Sequence, residues 1–262
     1  MPQHTRQQKM EAFGRLLDIM DELREKCPWD MKQTNESLRH LTIEETYELS
    51  DAILKNDVNE IQKELGDVLL HIVFYARIAN EQNNFDIADV CHSLCEKLIV
   101  RHPHIYGDVT VENADQVKEN WEQIKLKEGN KSVLSGVAKG TPSLVKALRM
   151  QEKAAQVGFD WPTAKEVWNK VDEELAELKA EFNQPNNDQK IENELGDFLF
   201  ALVNLARKHN INPDDALEKT NHKFLNRFQY IEEQAKLNQQ QLKDMTLDEM
   251  DVYWNEAKKI GL

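Results

Sequence analysis

The sequence predicts an all-α protein made of two tandem copies of one helical bundle, and three observations lead there. Only nine Gly and seven Pro occur in 262 residues, and Glu, Lys, Leu, Ala and Gln are plentiful, a composition that favours helix throughout. No stretch shows the apolar/polar alternation of a strand. The chain also repeats itself: "ELGDVLLHIVFYARIAN" (64–80) and "ELGDFLFALVNLARKHN" (194–210) are identical at nine of seventeen positions. Their apolar stripes superpose as well, Ile61, Leu65, Val68, Leu69, Ile72, Val73 and Ala76 on Ile191, Leu195, Phe198, Leu199, Leu202, Val203 and Ala206. That three-and-four spacing is one face of an amphipathic helix.

The elements follow in chain order. Arg39–Lys55 and Val58–Glu81 read as two helices joined by a short turn at Asn56-Asp57. "NNFD" (83–86) breaks the second, and "HPHIYGD" (102–108) ends the helix that carries Cys91 and Cys95. "EGNKSVLSGVAKGTPS" (128–143), with three glycines and a proline, reads as a linker. Breaks at "NQPNND" (183–188) and "NINPDD" (210–215) divide the second half. The match between halves extends outward: "EETYE" (44–48) answers "EELAE" (173–177), Lys97 and Arg101 answer Lys223 and Arg227, and Trp121 and Lys125 answer Trp254 and Lys258. The expected organisation is a domain at 1–130, a linker at 131–143 and a second domain at 144–262, each domain a bundle of four or five helices.

Net charge excludes some functions. At −14 and with no local basic patch, the chain is not expected to bind a nucleic-acid polymer or an anionic membrane. Three cysteines build no disulfide framework, and Cys91 and Cys95 have no Cys/His pair at zinc spacing, so they read as buried thiols. The N-terminus lacks the apolar core of a signal peptide, and no apolar run approaches the ~20 residues that span a bilayer. The expectation is a cytoplasmic protein.

Acidic residues interrupt the helical stripes in a regular way. Two antiparallel helices place residues equidistant from their turn at one height. Glu48 and Glu64 lie eight residues either side of Asn56, and Glu45 and Asp67 lie eleven either side. The second copy does the same: Glu177 and Glu194 are centred on the Pro185–Asn186 peptide, and so are Glu174 and Asp197. Each copy thus brings four carboxylates onto one patch between two helices. Unit charges ~5 Å apart repel by roughly 3 kcal/mol at an effective dielectric near 20, so the patch calls for a cation. Oxygen-only ligands without Glu-x-x-His motifs suit a hard ion, Mg²⁺ or Mn²⁺, with coordination positions left for water and substrate phosphates.

The duplicated E-E-x-x-E and E-x-x-D motifs, with "CPWDMKQT" (27–34) and "RHPHIYGD" (101–108), resemble the MazG family of nucleoside triphosphate pyrophosphohydrolases over essentially the whole chain. The resemblance implies Mg²⁺-dependent hydrolysis of nucleoside triphosphates to monophosphate and pyrophosphate, in a homodimer. It implies metal ligands at Glu174, Glu177, Glu194 and Asp197, and in the first copy at Glu45, Glu48, Glu64 and Asp67. Nucleotide contacts are implied for Lys170, Val171, Asp172, Glu173 and Glu174, for Lys190, Ile191, Glu192 and Asn193, for Lys223, Phe224, Leu225, Asn226 and Arg227, and for Trp254.

The residues themselves rank the copies. Lys170 and Lys190 each lie four residues before a ligand, Glu174 and Glu194, on the ligand-bearing stripe; Leu41 and Glu60 stand there in the first copy. The second copy is therefore expected to be the main catalytic one, with Lys170, Lys190, Lys223 and Arg227 neutralising phosphate charge and Glu173 orienting or deprotonating the attacking water. Trp254 is a candidate to stack on the base, and His71 reads as packing. A non-catalytic nucleotide- or metal-binding regulator, and a pyrophosphatase narrow for one deoxynucleotide, stay open beside a broad housekeeping hydrolase.

Overall fold

A computed structural model of the chain describes residues 4–113, 116–117, 120–121, 124, 132–185 and 187–262. Among them it is helical and has no strand, as the composition and periodicity predict. It divides into two compact units, Met1–Trp121 and Glu122–Leu262.

The first unit holds α1 (Arg6–Lys26), α2 (Asn35–Lys55), α3 (Val58–Glu81), α4 (Ile87–Arg101) and the single turn α5 (Pro103–Tyr106). α2 begins four residues earlier than the apolar stripe suggests. Thr34 starts it with a capping box, its hydroxyl accepting from the Ser37 N–H while Ser37 accepts from the Thr34 N–H. Asn56 ends it in the left-handed region (φ 55°), a conformation Asn tolerates, and the Asp57 carboxylate caps α3 immediately afterwards. The two-residue link forces α2 and α3 antiparallel and side by side. Met20, Leu38, Val73, Phe74 and Ile78 form the core between α1, α2 and α3. Cys91 and Cys95 are exposed thiols and not buried ones, because α4 buries none of its residues.

The second unit holds α6 (Ser143–Gln156), α7 (Ala164–Phe182), α8 (Asp188–Lys208), α9 (Pro213–Leu237) and α10 (Leu247–Lys259). Thr163 with Glu166 and Thr246 with Glu249 form capping boxes that start α7 and α10, and Pro213 opens α9, where its missing N–H costs nothing. α7 and α8 repeat the α2/α3 hairpin with a longer link, 183–187. Val167, Val171, Ala201 and Leu205 make its core. Within the expected linker, Val133–Gly136 forms a 3-10 turn packed on α6, and Lys146 Nζ donates to the Lys139 carbonyl (2.8 Å). Lys125, paired by sequence with Lys258, lies outside the described residues.

Candidate metal and nucleotide site

Both hairpins gather their carboxylates. Glu45, Glu48 and Glu64 each place an oxygen within 4.8 Å of the others, and so do Glu174, Glu194 and Asp197. The fourth member of each quartet is felt electrostatically. Burial first, then the charges of Asp67, Glu48, Glu64 and Glu44, push the Glu45 carboxyl above its ordinary value. Burial and then Glu177, Asp197, Glu174 and Glu181 do the same to Glu194. The largest charge effect on each comes from its level partner across the hairpin, Asp67 for Glu45 and Glu177 for Glu194.

Three observations fit these sites to a divalent cation. The donors are all carboxylate oxygens, the choice of a hard ion. Glu64 is 2% exposed, and its Oε2 is buried with no hydrogen-bond partner. Glu181, one turn beyond Glu177 and not nominated from sequence, likewise keeps a buried Oε2 without a partner. Unpaired carboxylate oxygens are costly inside a protein unless something positive meets them.

Each site already carries one ammonium group. Lys170 pairs with Glu174 (2.7 Å) and Glu173 (2.9 Å), and these hydrogen bonds raise its pKa. In the first copy Lys63 pairs with Glu64 (2.8 Å) and Glu60 (3.6 Å), and its pKa rises for the same reason. The sequence reading looked only four residues before each ligand and so missed Lys63, which adjoins Glu64 and whose long stem reaches the carboxylate. Lys190 stands exposed on the first turn of α8 and makes no ion pair among the described residues. Ile191 is half-buried, while Asp172, Glu192 and Asn193 are exposed.

The Lys223–Arg227 segment lies on α9 and meets α10. The Arg227 guanidinium sits 5.4 Å from the centre of the Trp254 ring, Phe224 tilts against the same ring at 5.4 Å, and Arg227 Nε donates to the Leu262 carbonyl (2.7 Å). Lys223, Leu225 and Asn226 are exposed. The first copy repeats the contact, with Arg101 5.6 Å from the centre of the Trp121 ring. His71 is buried, and its Nδ1 lies 2.9 Å from the Thr42 hydroxyl, which also meets the Tyr75 hydroxyl at 2.6 Å. Burial lowers its pKa against the opposing pull of Asp67.

Beside the second quartet lies a cleft that the sequence did not foreshadow. Trp161, Val167, Phe200, Ala201 and Asn204 line it, and its polar edge is Lys170, Glu174 and Asp197. A long-range ion pair holds its far side: Asp160 takes Arg207 and Lys208 (2.7 Å), and Lys208 also donates to the Trp161 carbonyl.

A hairpin that gathers carboxylates able to hold a cation beside an apolar cleft defines an all-α protein with a candidate metal centre. Comparison with known proteins narrows that class. The MazG nucleotide pyrophosphohydrolase domain matches residues 33–106 and again 163–231. The chain therefore belongs to the MazG family, and it is an enzyme of the nucleotide pyrophosphohydrolase type. It is 40% identical over 258 residues to a nucleoside triphosphate pyrophosphohydrolase of Escherichia coli, covering 95% of this chain and 98% of that one. It is 43% identical over 251 residues to the nucleoside triphosphate pyrophosphohydrolase/pyrophosphatase MazG of Thermotoga maritima, covering 94% and 95%. It is also 46% identical over 252 residues to the protein YabN of Bacillus subtilis, covering 94% of this chain and 52% of that one. The family resemblance and the tandem all-α fold read from the sequence are thus borne out. No helix among the described residues is long and apolar enough to cross a membrane.

Proposed function

We propose that the second unit hydrolyses nucleoside triphosphates, ribo or deoxy and with a broad base range, to monophosphate and pyrophosphate with Mg²⁺, in nucleotide-pool housekeeping in the cytoplasm. The observation that carries this reading is the cluster of Glu174, Glu194 and Asp197, with Glu177 acting on Glu194, Lys170 seated beside Glu174 and the cleft adjoining it. The names of the E. coli and T. maritima relatives support it. Bound Mg²⁺, or Mn²⁺ in its place, would supply Lewis-acid charge at the phosphates and a more acidic water.

This chain's own groups do the rest. Glu174, Glu177, Glu194 and Asp197 hold the ion. Lys170, within hydrogen-bond distance of both Glu173 and Glu174, balances charge on the phosphate chain, helped by Lys190, Lys223 and Arg227. Glu173 keeps its carboxylate next to a ligand residue, suited to take a proton from the water that attacks the α-phosphorus. Trp254, already covered by Arg227, offers an aromatic face for the base. The first quartet, Glu45, Glu48, Glu64 and Asp67, binds the ion more weakly. A homodimer is supported by apolar side chains left exposed on matching helices, Leu195, Leu199 and Phe224 in one unit and Leu65, Leu94 and Leu98 in the other.

The test is chromatography of the products formed from a mixed NTP and dNTP pool with Mg²⁺. Monophosphates with pyrophosphate are expected, and their distribution reads the base range. Diphosphates with orthophosphate would move attack to the γ-phosphorus and overturn the reading. Binding without any product would favour a regulatory nucleotide-binding protein.

Mg²⁺ is also expected to raise the melting temperature, since it relieves the like-charge repulsion that, after burial, pushes Glu45 and Glu194 upward. Glu177→Gln should shrink that shift and leave the metal-free protein as stable or more so. A variant clearly less stable without metal would show the acids to be structural partners.

A further inference from the structure

With the repeat aligned through the "ELGD" segments, the positions on α3 that answer Ala201 and Asn204 hold His71 and Phe74, both buried. The first unit opens at another place. A cleft of about 140 Å³ lies between α1, α3 and the start of α4. Met20, Val73 and Ala76 form its buried floor, and the half-buried Ile87 lines it from α4. An apolar space near that size takes a guest of about six carbon atoms.

The rim is polar and carries both signs of charge: Arg77 as the cation, Asp21 and Asp86 as the anions. Arg77 is the repeat's counterpart of Arg207, and the two arginines are held differently. Arg207 is clamped, pairing with Asp160 from the loop before α7 and donating through Nε to Asn204 Oδ1 (3.1 Å). In the first unit a different arginine anchors the loop before α2. Arg24 pairs with Glu81 (2.7 Å) and donates to the Asp30 and Gln33 carbonyls. Arg77 is left with Glu81 at 3.4 Å and with Asp21, whose side chain is 58% exposed. Asp21 Oδ1 stands 2.5 Å from Arg77 Nε but off the line of its N–H, so this buried donor makes no hydrogen bond. Asp86 caps α4 through one oxygen alone. Its Oδ1 accepts from the Ala88 N–H (2.7 Å) and the Asp89 N–H (3.1 Å), and its Oδ2 makes no hydrogen bond among the described residues.

These features match the three parts of one small molecule. The apolar floor suits an aliphatic side chain, the unused guanidinium N–H suits a carboxylate, and the spare Asp86 oxygen suits an ammonium group. One cation against two carboxylates makes a poor receptor for phosphate and a good one for a zwitterion. We propose that this cleft binds a free α-amino acid with a branched aliphatic side chain. The ligand carboxylate takes Arg77 from Asp21, and the ligand ammonium lies against Asp86 Oδ2 and the released Asp21. The exchange costs little, because an ion pair as exposed as that of Asp21 is worth little. The bound molecule fastens α1 to α3 at the end of the bundle where α4 begins.

Calorimetric titration of the full chain tests this, with L-leucine and two truncated probes: isocaproate, which lacks the ammonium, and isoamylamine, which lacks the carboxylate. L-Leucine is expected to bind saturably, and each truncated probe at least about tenfold more weakly, the worth of one charge-assisted hydrogen bond. Asp86→Asn keeps a capping oxygen for α4 and removes the charge, and Arg77→Gln removes the guanidinium. Each substitution is expected to weaken L-leucine about tenfold, while thermal melts as cooperative as the parent's show that both variants fold. Isoamylamine binding as tightly as L-leucine would make the cleft an amine site, and isocaproate doing so would make it a site for simple carboxylates. Either result overturns the proposal, as does L-leucine binding that neither substitution weakens, or the absence of L-leucine binding to the unaltered protein.

Discussion

Glu194→Gln is expected to lower turnover of nucleoside triphosphates by about a hundredfold or more, whereas Glu64→Gln should leave turnover close to that of the unaltered protein. A loss of that order follows when a carboxylate that would hold the metal at the reacting phosphates is neutralised without change of shape. Glu194 lies within 4.8 Å of Glu174 and Asp197 and is pushed up in pKa by burial and then by Glu177, so its charge is central to the second quartet. Glu64 is the corresponding residue of a hairpin whose adjoining space is filled by His71 and Phe74. Neutralising Glu194 removes repulsion, so the metal-free variant should melt no lower than the parent, and lost activity cannot be confused with unfolding. Steady-state kinetics on both variants decides the matter. Equal losses would mean that both copies turn over substrate.

Asp160→Ala should cost about 3 kcal/mol and lower the melting temperature of the protein by several degrees, because it strands two cations that are 14% and 16% exposed. The effect carries a pH signature. Burial pushes the Asp160 carboxyl up, but hydrogen bonds and charge from Arg207 and Lys208 outweigh it and hold the pKa below the ordinary Asp value. A depressed carboxyl stabilises the fold above its unfolded pKa, near 3.9, and that contribution is lost as pH falls through the lower folded value. The parent and the variant should therefore differ most at neutral pH and converge below about pH 4. Thermal melts across that range check it, and a difference that persists at pH 2 would show that the cost comes from packing and not from the ion pair.

Much of this was legible in the sequence, for reasons that differ by residue. The convergence of Glu45 with Glu64, and of Glu174 with Asp197, follows from helix rise and turn position alone, because a hairpin is a local structure with one geometric parameter. Helix ends were nearly as legible, since Asn56, Pro103 and Pro213 act within a residue or two. What escaped were contacts made across long sequence separations. The Asp160–Arg207–Asn204 chain spans more than forty residues, and no period marks it. Lys63 escaped for another reason: its neighbour Glu64 is adjacent in sequence, and helical-face rules do not pair adjacent residues, yet a flexible four-carbon stem folds back along the helix. The packing of Arg227 on Trp254 and of Arg101 on Trp121 was foreshadowed only as matching positions in the repeat.

The seated lysines change what filling these sites means. Because Lys63 holds Glu64 and Lys170 holds Glu174, neither metal-free site is a bare anion. Uptake of a divalent ion would be an exchange reaction, in which an ammonium gives up its carboxylate to the newcomer, much as a resin trades one counter-ion for another. The displaced charge is tethered and stays within a side chain's length of where it began. In the second unit it remains leashed to Glu173, beside the place where a triphosphate would lie. A bound ion would thus leave a second positive charge, the Lys170 ammonium, free to meet the substrate.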